Sequence, residues 1–217
     1  MTLDFLEQGG TDDLKRLAEL RSIAREALEI ASTAGVLRFA TLKGCRAWIV
    51  TDRTRYVAEA RRLDGQPWED INAKAWTLPG GSEGRKRWPL GIVEAQSFRA
   101  IALVVGAPDF LAAFHWIWIE SCAEVAPVAI LGASMSIHPV ALRLFQGKRV
   151  RIFPHYDADG FDAARRWEAQ LQSVGAVVDC FDLTGLTRSD DRCVYDLNDL
   201  CSVSYEQWQS EVRDILP

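Results

Sequence analysis

Asp157 and Asp159 follow a short apolar run and precede a glycine in Pro154-His155-Tyr156-Asp157-Ala158-Asp159-Gly160. In an extended backbone, alternate residues face the same side. Two carboxylates held so close repel unless a cation lies between them, and hard oxygen ligands suit Mg2+ or Mn2+. Capping of the next helix, expected to start at residue 161, accounts for one aspartate but not for both. Gly160 lets the chain turn into that helix. His155 stands beside the pair and could bind metal or nucleic acid, though a lone loop histidine is more often neither. His115 and His138 carry no signal.

Two other acidic places accompany this one. In Val104-Val105-Gly106-Ala107-Pro108-Asp109, Gly106 permits a tight strand-to-helix turn and Pro108 suits a first helical turn. Asp109 either favours the helix start electrostatically or reaches a metal, and the first reading is the stronger on these residues alone. Asp196-Leu197-Asn198-Asp199 forms an acidic loop, a weak signal by itself because Asp and Asn are common in turns.

The elements that position these residues come from short apolar runs alternating with helical patterns. Strands are expected at 101–105, 127–131, 149–153 and 177–183, with helices at 108–124, 139–145, 161–173 and 205–215. The order implies an α/β fold with a mainly parallel sheet covered on both faces, whose ligands lie at the carboxyl ends of the strands. Residues 1–35 carry one accessory helix over 11–34, with Thr11 as N-cap and Gly35 as terminator. Residues 36–98 read as a small mixed α+β lobe of strands and loops punctuated by glycine and proline. This lobe is the basic part of the chain, with Arg61, Arg62, Lys74, Arg85, Lys86 and Arg87. The default reading of such a cluster is a solvated surface. Residues 99–217 form the parallel-sheet domain with its closing helix.

The chain has 217 residues, 48% of them hydrophobic, enough for one large domain or one domain with a small lobe. Its formal net charge of −5 argues against a free-standing, non-specific DNA binder, so any such contact needs a local patch. Five scattered cysteines without a C-x-x-C pair argue against a zinc ribbon and for reduced, buried thiols in a cytoplasmic protein. The N-terminus lacks the apolar core of a signal peptide, and the most apolar segment, 110–119, is too short to span a bilayer.

Taken together, the pieces resemble the Toprim domain of bacterial and phage primases. In that family a strand ends in E-G-x-x-D, a second in Leu-Gly-(Thr/Ala/Ser), a third leads to D-x-D with a nearby Gly, and a D-x-N-D loop closes the domain. The same order here reads Val105-Gly106-Ala107-Pro108-Asp109, Leu131-Gly132-Ala133-Ser134, Asp157-Ala158-Asp159-Gly160 and Asp196-Leu197-Asn198-Asp199. The lobe before it resembles the small N-terminal lobe of phage-type primases through Arg61-Arg62-Leu63-Asp64-Gly65, Lys74-Ala75-Trp76-Thr77-Leu78-Pro79-Gly80 and Trp88-Pro89-Leu90-Gly91.

The resemblance implies a Rossmann-like Toprim fold and a Mg2+- (or Mn2+-) dependent nucleotidyltransferase of DNA primase type, without zinc. Asp157 and Asp159 would be catalytic and metal-holding, with Asp109 at the edge of the site. Arg61, Arg62, Lys74, Arg85, Lys86 and Arg87 would contact phosphates of single-stranded DNA or RNA and of nucleoside triphosphates. A helicase or other replication subunit is implied as partner, since the chain has no P-loop. A phage or mobile-element origin is expected on the same resemblance. Two departures stand out. Val105 replaces the motif glutamate and can neither transfer a proton nor bind metal, and the interval between Asp159 and the next helix is shorter than the family's. Only a weakly held ion is then expected. A non-catalytic module binding nucleic acid, nucleotide or a partner is the alternative, and a metal-dependent nuclease a further one.

Overall fold

The computed structural model describes residues 3–78 and 86–217. Two four-stranded sheets organise the chain. The first is antiparallel, in the order β1 (Leu37–Leu42), β2 (Cys45–Thr51), β3 (Ala58–Arg62) and β4 (Trp76–Leu78). The second is wholly parallel and contains β5 (Ala100–Val105), β6 (Val125–Ile130), β7 (Arg149–Ile152) and β8 (Val177–Cys180), in the order β6-β5-β7-β8. The chain passes from β5 to β6 on one side and then crosses back to β7 on the other. The switch point therefore lies between β5 and β7, where parallel sheets place their ligands.

The apolar runs form strands because both faces of the parallel sheet are covered. All six residues of β5 are buried. Ala100, Ala102 and Val104 enter one core, while Ile101, Leu103 and Val105 enter the other. Helix α3 (Gly106–Ile119) covers the first face. Helix α5 (Ala158–Gln172), between β7 and β8, covers the second with Ala163, Trp167 and Leu171. Burying a side chain the size of Leu or Phe contributes roughly 1.5–3 kcal/mol, so these two layers dominate cohesion. The short α4 (Pro139–Leu142) begins at His138, whose Nδ1 accepts from the Val140 N–H.

The N-terminal pattern expected as one helix is broken into α1 (Thr11–Arg21) and α2 (Arg25–Thr33). Ser22 closes α1 in the left-handed region at φ 56°, and the Ala24 N–H ahead of α2 donates to His115 Nδ1 on α3 at 3.1 Å. The break is fixed by a contact 91 positions away in the chain, which local periodicity does not record. Burial pushes His115 down to about pKa 4, so its ring is a neutral acceptor. Helices α1 and α2 share one core with α3 and with Phe39, Trp48 and Val50 of the antiparallel sheet.

Other boundaries also move. Strand β8 stops at Cys180 because Asp182 accepts from the Thr184 N–H and turns the chain. Asp196-Leu197-Asn198-Asp199 is not a plain loop: Asp196 caps the one-turn α6 (Leu197–Leu200). The last helix, α7, spans Tyr205–Glu211, shorter than expected. All five cysteines are free, but Cys180 and Cys193 are exposed rather than buried.

Candidate metal and phosphate cleft

A cleft of about 520 Å3 opens at the carboxyl end of the parallel sheet, facing the antiparallel sheet. Asp109, His155, Asp157, Asp159, Asp196 and Asp199 line one wall. Arg21, Glu59, Arg61 and Lys74 line the other. The cleft is thus acidic on the sheet side and mostly basic on the lobe side.

Asp109 lies in the first turn of α3 and is 1% exposed. Gly106 starts that turn at φ 81°, a conformation that a side chain would strain. Asp109 Oδ1 accepts from the Asn198 N–H at 3.1 Å, and Oδ2 lies 3.2 Å from His155 Nε2. Burial pushes the Asp109 carboxyl up, opposed by the His155 contact. For His155, burial disfavours the charged ring, but Asp109, with Asp196 and Asp157, outweighs it and raises its pKa. Asp196 is pushed up to about 7, first by burial and then by the Asp109 charge. Its Oδ1 accepts from the Asp199 N–H at 2.7 Å, the cap of α6. One ligand atom from each of Asp109, His155 and Asp196 lies within 4.8 Å of the others.

Asp157 and Asp159 both reach the cleft but have different surroundings. The helix starts at Ala158, not at 161, so no extended run carries the pair. Asp157 is the N-cap of α5, with Oδ1 accepting from the Gly160 N–H at 2.7 Å. Its other oxygen accepts from the Tyr195 hydroxyl. That bond and the Gly160 N–H hold its pKa below the usual carboxylate range. Asp159 is exposed in the first turn of α5. Gly160 matters through room rather than through a special turn: a Cβ there would stand 2.2 Å from the His155 carbonyl oxygen. The helix start thus packs directly on the backbone that carries His155.

On the opposite wall, strand alternation puts Ala58 and Ala60 in a separate core and leaves Glu59 and Arg61 on the cleft face. Arg61 Nε donates to Glu59 Oε1 at 2.7 Å. Arg21 comes from the end of α1, with its guanidinium 5.4 Å from the Trp48 ring centre. Burial and the neighbouring Arg61 lower its pKa, opposed by Asp196 and Asp109. Arg62 turns away to Asp64, and Arg87 Nε donates to the Ser136 carbonyl at 3.3 Å. Neither Arg62, Lys86 nor Arg87 lines the cleft, and Arg85 lies outside the described residues. Asp199, expected near the acidic loop, accepts from the Tyr195 N–H at 3.2 Å and from Arg188.

Sequence reasoning gave His155 little weight and missed Arg21, Glu59 and Tyr195. His155 had a signal in its two-residue offset from Asp157. Arg21 and Tyr195 come from distant stretches with no motif. Val105, at the expected glutamate position, lines the cleft at 4% exposure and offers no donor.

Mg2+ asks for a near-octahedral shell of oxygens, usually one or two carboxylates completed by water and phosphate. The close group here supplies two carboxylates and one imidazole, so it does not fit an all-oxygen shell. Among the described residues, no helix is long and apolar enough to cross a membrane.

No protein-family model and no curated protein matches the chain. Several solved chains are similar in structure, among them two from bacteriophage T7. One is the primase fragment of the bacteriophage T7 primase-helicase protein, at 14% identity and a TM-score of 0.53, covering 92% of this chain and 74% of that one. The other is a chain from the structure of the bacteriophage T7 lagging-strand DNA polymerase interacting with primase domains of two gp4 subunits bound to an RNA/DNA hybrid and dTTP. It matches at 15% identity and a TM-score of 0.50, over 76% of this chain and 78% of that one. At these identities the likeness is one of architecture, and the chain has the fold of a phage primase fragment.

Proposed function

We propose that the chain is a Toprim-type, primase-like module that binds nucleotide or single-stranded nucleic-acid phosphates together with a divalent ion in this cleft. The parallel-sheet part (99–217) would supply the ion site and the preceding basic lobe (36–98) the phosphate contacts, in a cytoplasmic setting. One observation carries this reading: Asp109, His155 and Asp196 converge at the sheet's switch point and face Arg21, Arg61 and Lys74 across a single cleft. Phosphates bridging a cation and an arginine-lysine wall fit such a bipolar gap.

The positions also suggest a better register for the third motif. If His155-Tyr156-Asp157 takes the D-x-D place, the interval to Gly160 lengthens and the shortfall disappears. Two motif carboxylates are then replaced, by Val105 and by His155. Primer synthesis on single-stranded DNA from nucleoside triphosphates is the activity that the reading predicts. The bound ion would neutralise charge developing on the phosphates.

A second reading has a specific observation behind it. Val105 leaves the cleft without the family's glutamate, which favours binding without chemistry. Purified chain incubated with single-stranded templates, nucleoside triphosphates and Mg2+ or Mn2+ decides between them. Oligonucleotide products that disappear in Asp109→Asn support the enzyme. Nucleotide binding without products supports the silent module. Neither products nor nucleotide binding refutes both.

A further inference from the structure

We propose that the cleft is selective for a divalent transition ion that accepts imidazole nitrogen, in the class of Co2+ and Zn2+, over Mg2+. This rests on the reading of the cleft as a metal site and concerns only which ion it takes. Mg2+ demands a near-octahedral oxygen shell and gives up water reluctantly. Imidazole suits later first-row ions, whose affinity for mixed N/O sites rises well above that of Mg2+ and Mn2+. The close donor group has one nitrogen, from His155, and two carboxylates, from Asp109 and Asp196. Val105, which also lines the cleft, contributes only methyl groups.

The separation of the donors agrees. Two ligands each about 2.1 Å from a common ion stand roughly 3.0 Å apart at a right angle and roughly 3.4 Å apart at a tetrahedral angle. His155 Nε2 and Asp109 Oδ2 are 3.2 Å apart, between the two. An ion there takes the place of the proton they share. The donors are also held from behind, as metal ligands are. The Asn198 N–H fixes the other oxygen of the fully buried Asp109, and the Asp199 N–H fixes Asp196. Close packing of Gly160 on the His155 carbonyl fixes the backbone that presents the ring.

Isothermal titration with Co2+ alone and Mg2+ alone, without nucleotide, tests this. The visible bands of the Co2+ complex report its coordination geometry, and their change in His155→Asn reports imidazole ligation. The wild type is expected to prefer Co2+ by at least ~10-fold, and His155→Asp to lose that preference by weakening Co2+ and tightening Mg2+. His155→Asn, which is uncharged, is expected to weaken Co2+ alone, and circular dichroism confirms that both variants fold. Equal affinities in the wild type, an unchanged ratio in His155→Asp, or no uptake of either ion overturns the proposal. A chain that makes primers with Mg2+ yet shows no preference for Co2+ would overturn the ion assignment and leave the primase-like reading standing. Preference for Co2+ without products or nucleotide binding would do the reverse.

Discussion

Replacing Gly160 with alanine puts one methyl group where the start of α5 meets the turn that carries His155. The new Cβ would lie 2.2 Å from the His155 carbonyl oxygen and 2.8 Å from both the carbonyl carbon and the amide nitrogen. All three are backbone atoms, so no side-chain rotation relieves the clash. Ordinary contact requires the two segments to part by roughly an ångström or more. Forcing extra volume into a packed site costs typically about 1–3 kcal/mol, and here the first turn of a fifteen-residue helix must move. For a chain of this size that corresponds to a fall in melting temperature of roughly 2–12 °C. The same displacement moves the His155 ring from its 3.2 Å contact with Asp109, so Co2+ uptake should fall along with stability. Asp159→Ala, one position earlier and exposed, is the control. It loses only favourable charge at the helix start, about 0.3–1 kcal/mol. Urea denaturation of both variants with a Co2+ titration provides the measurements. If Gly160→Ala matches the wild type within about 0.5 kcal/mol and takes up Co2+ normally, the packing account of this turn is wrong.

Asp109→Asn removes the carboxylate that opposes burial at His155, so the ring pKa should drop below that of the wild type, read by NMR titration of the imidazole protons. In Asp196→Asn the cap of α6 is retained, because asparagine caps as well as aspartate. A carboxyl whose folded pKa lies near 7 rather than 3.8 destabilises the fold as pH rises through that interval, so the variant should gain stability over the wild type at pH 8 and show none of that gain at pH 3.5, by chemical denaturation. Tyr195→Phe takes the hydroxyl from Asp157. The Asp157 pKa should then rise toward its ordinary value, and stability should fall by about 1 kcal/mol in urea melts. Arg61→Ala and Lys74→Ala should each weaken binding of single-stranded oligonucleotides irrespective of sequence and lower the salt slope by about one unit. An unchanged slope in both would remove the basic wall from the interface.

The parallel sheet was legible because its strands are buried on both faces and read as unbroken apolar runs, such as 101–105. The glycine at 106 and the aspartate at 109 were placed correctly relative to the strand end. The pairing of Asp157 with Asp159 assumed that the backbone stayed extended, whereas Asp157 itself caps a helix that starts one residue later. Nothing local distinguishes a cap at 157 from one at 159, since aspartate serves at either. The break at Ser22 depends on His115, and the presence of Arg21 in the cleft depends on that break. Glu59 and Arg61 face the cleft by strand alternation, which was readable, but which face of β3 looked toward the other sheet was not.

Asn198 joins both walls of the gap. Its backbone N–H holds Asp109, and its side-chain amide donates to the Arg21 carbonyl at the end of α1, at 2.8 Å. Separating the helical arm from the sheet edge therefore breaks the hydrogen bond from the side-chain amide while the aspartate stays anchored to the same residue. This clasp, the Ala24–His115 bond and the shared core together hold the width of the opening, so ligands of different length have to be accommodated by the reach of Arg21, Arg61 and Lys74 rather than by swinging the arm.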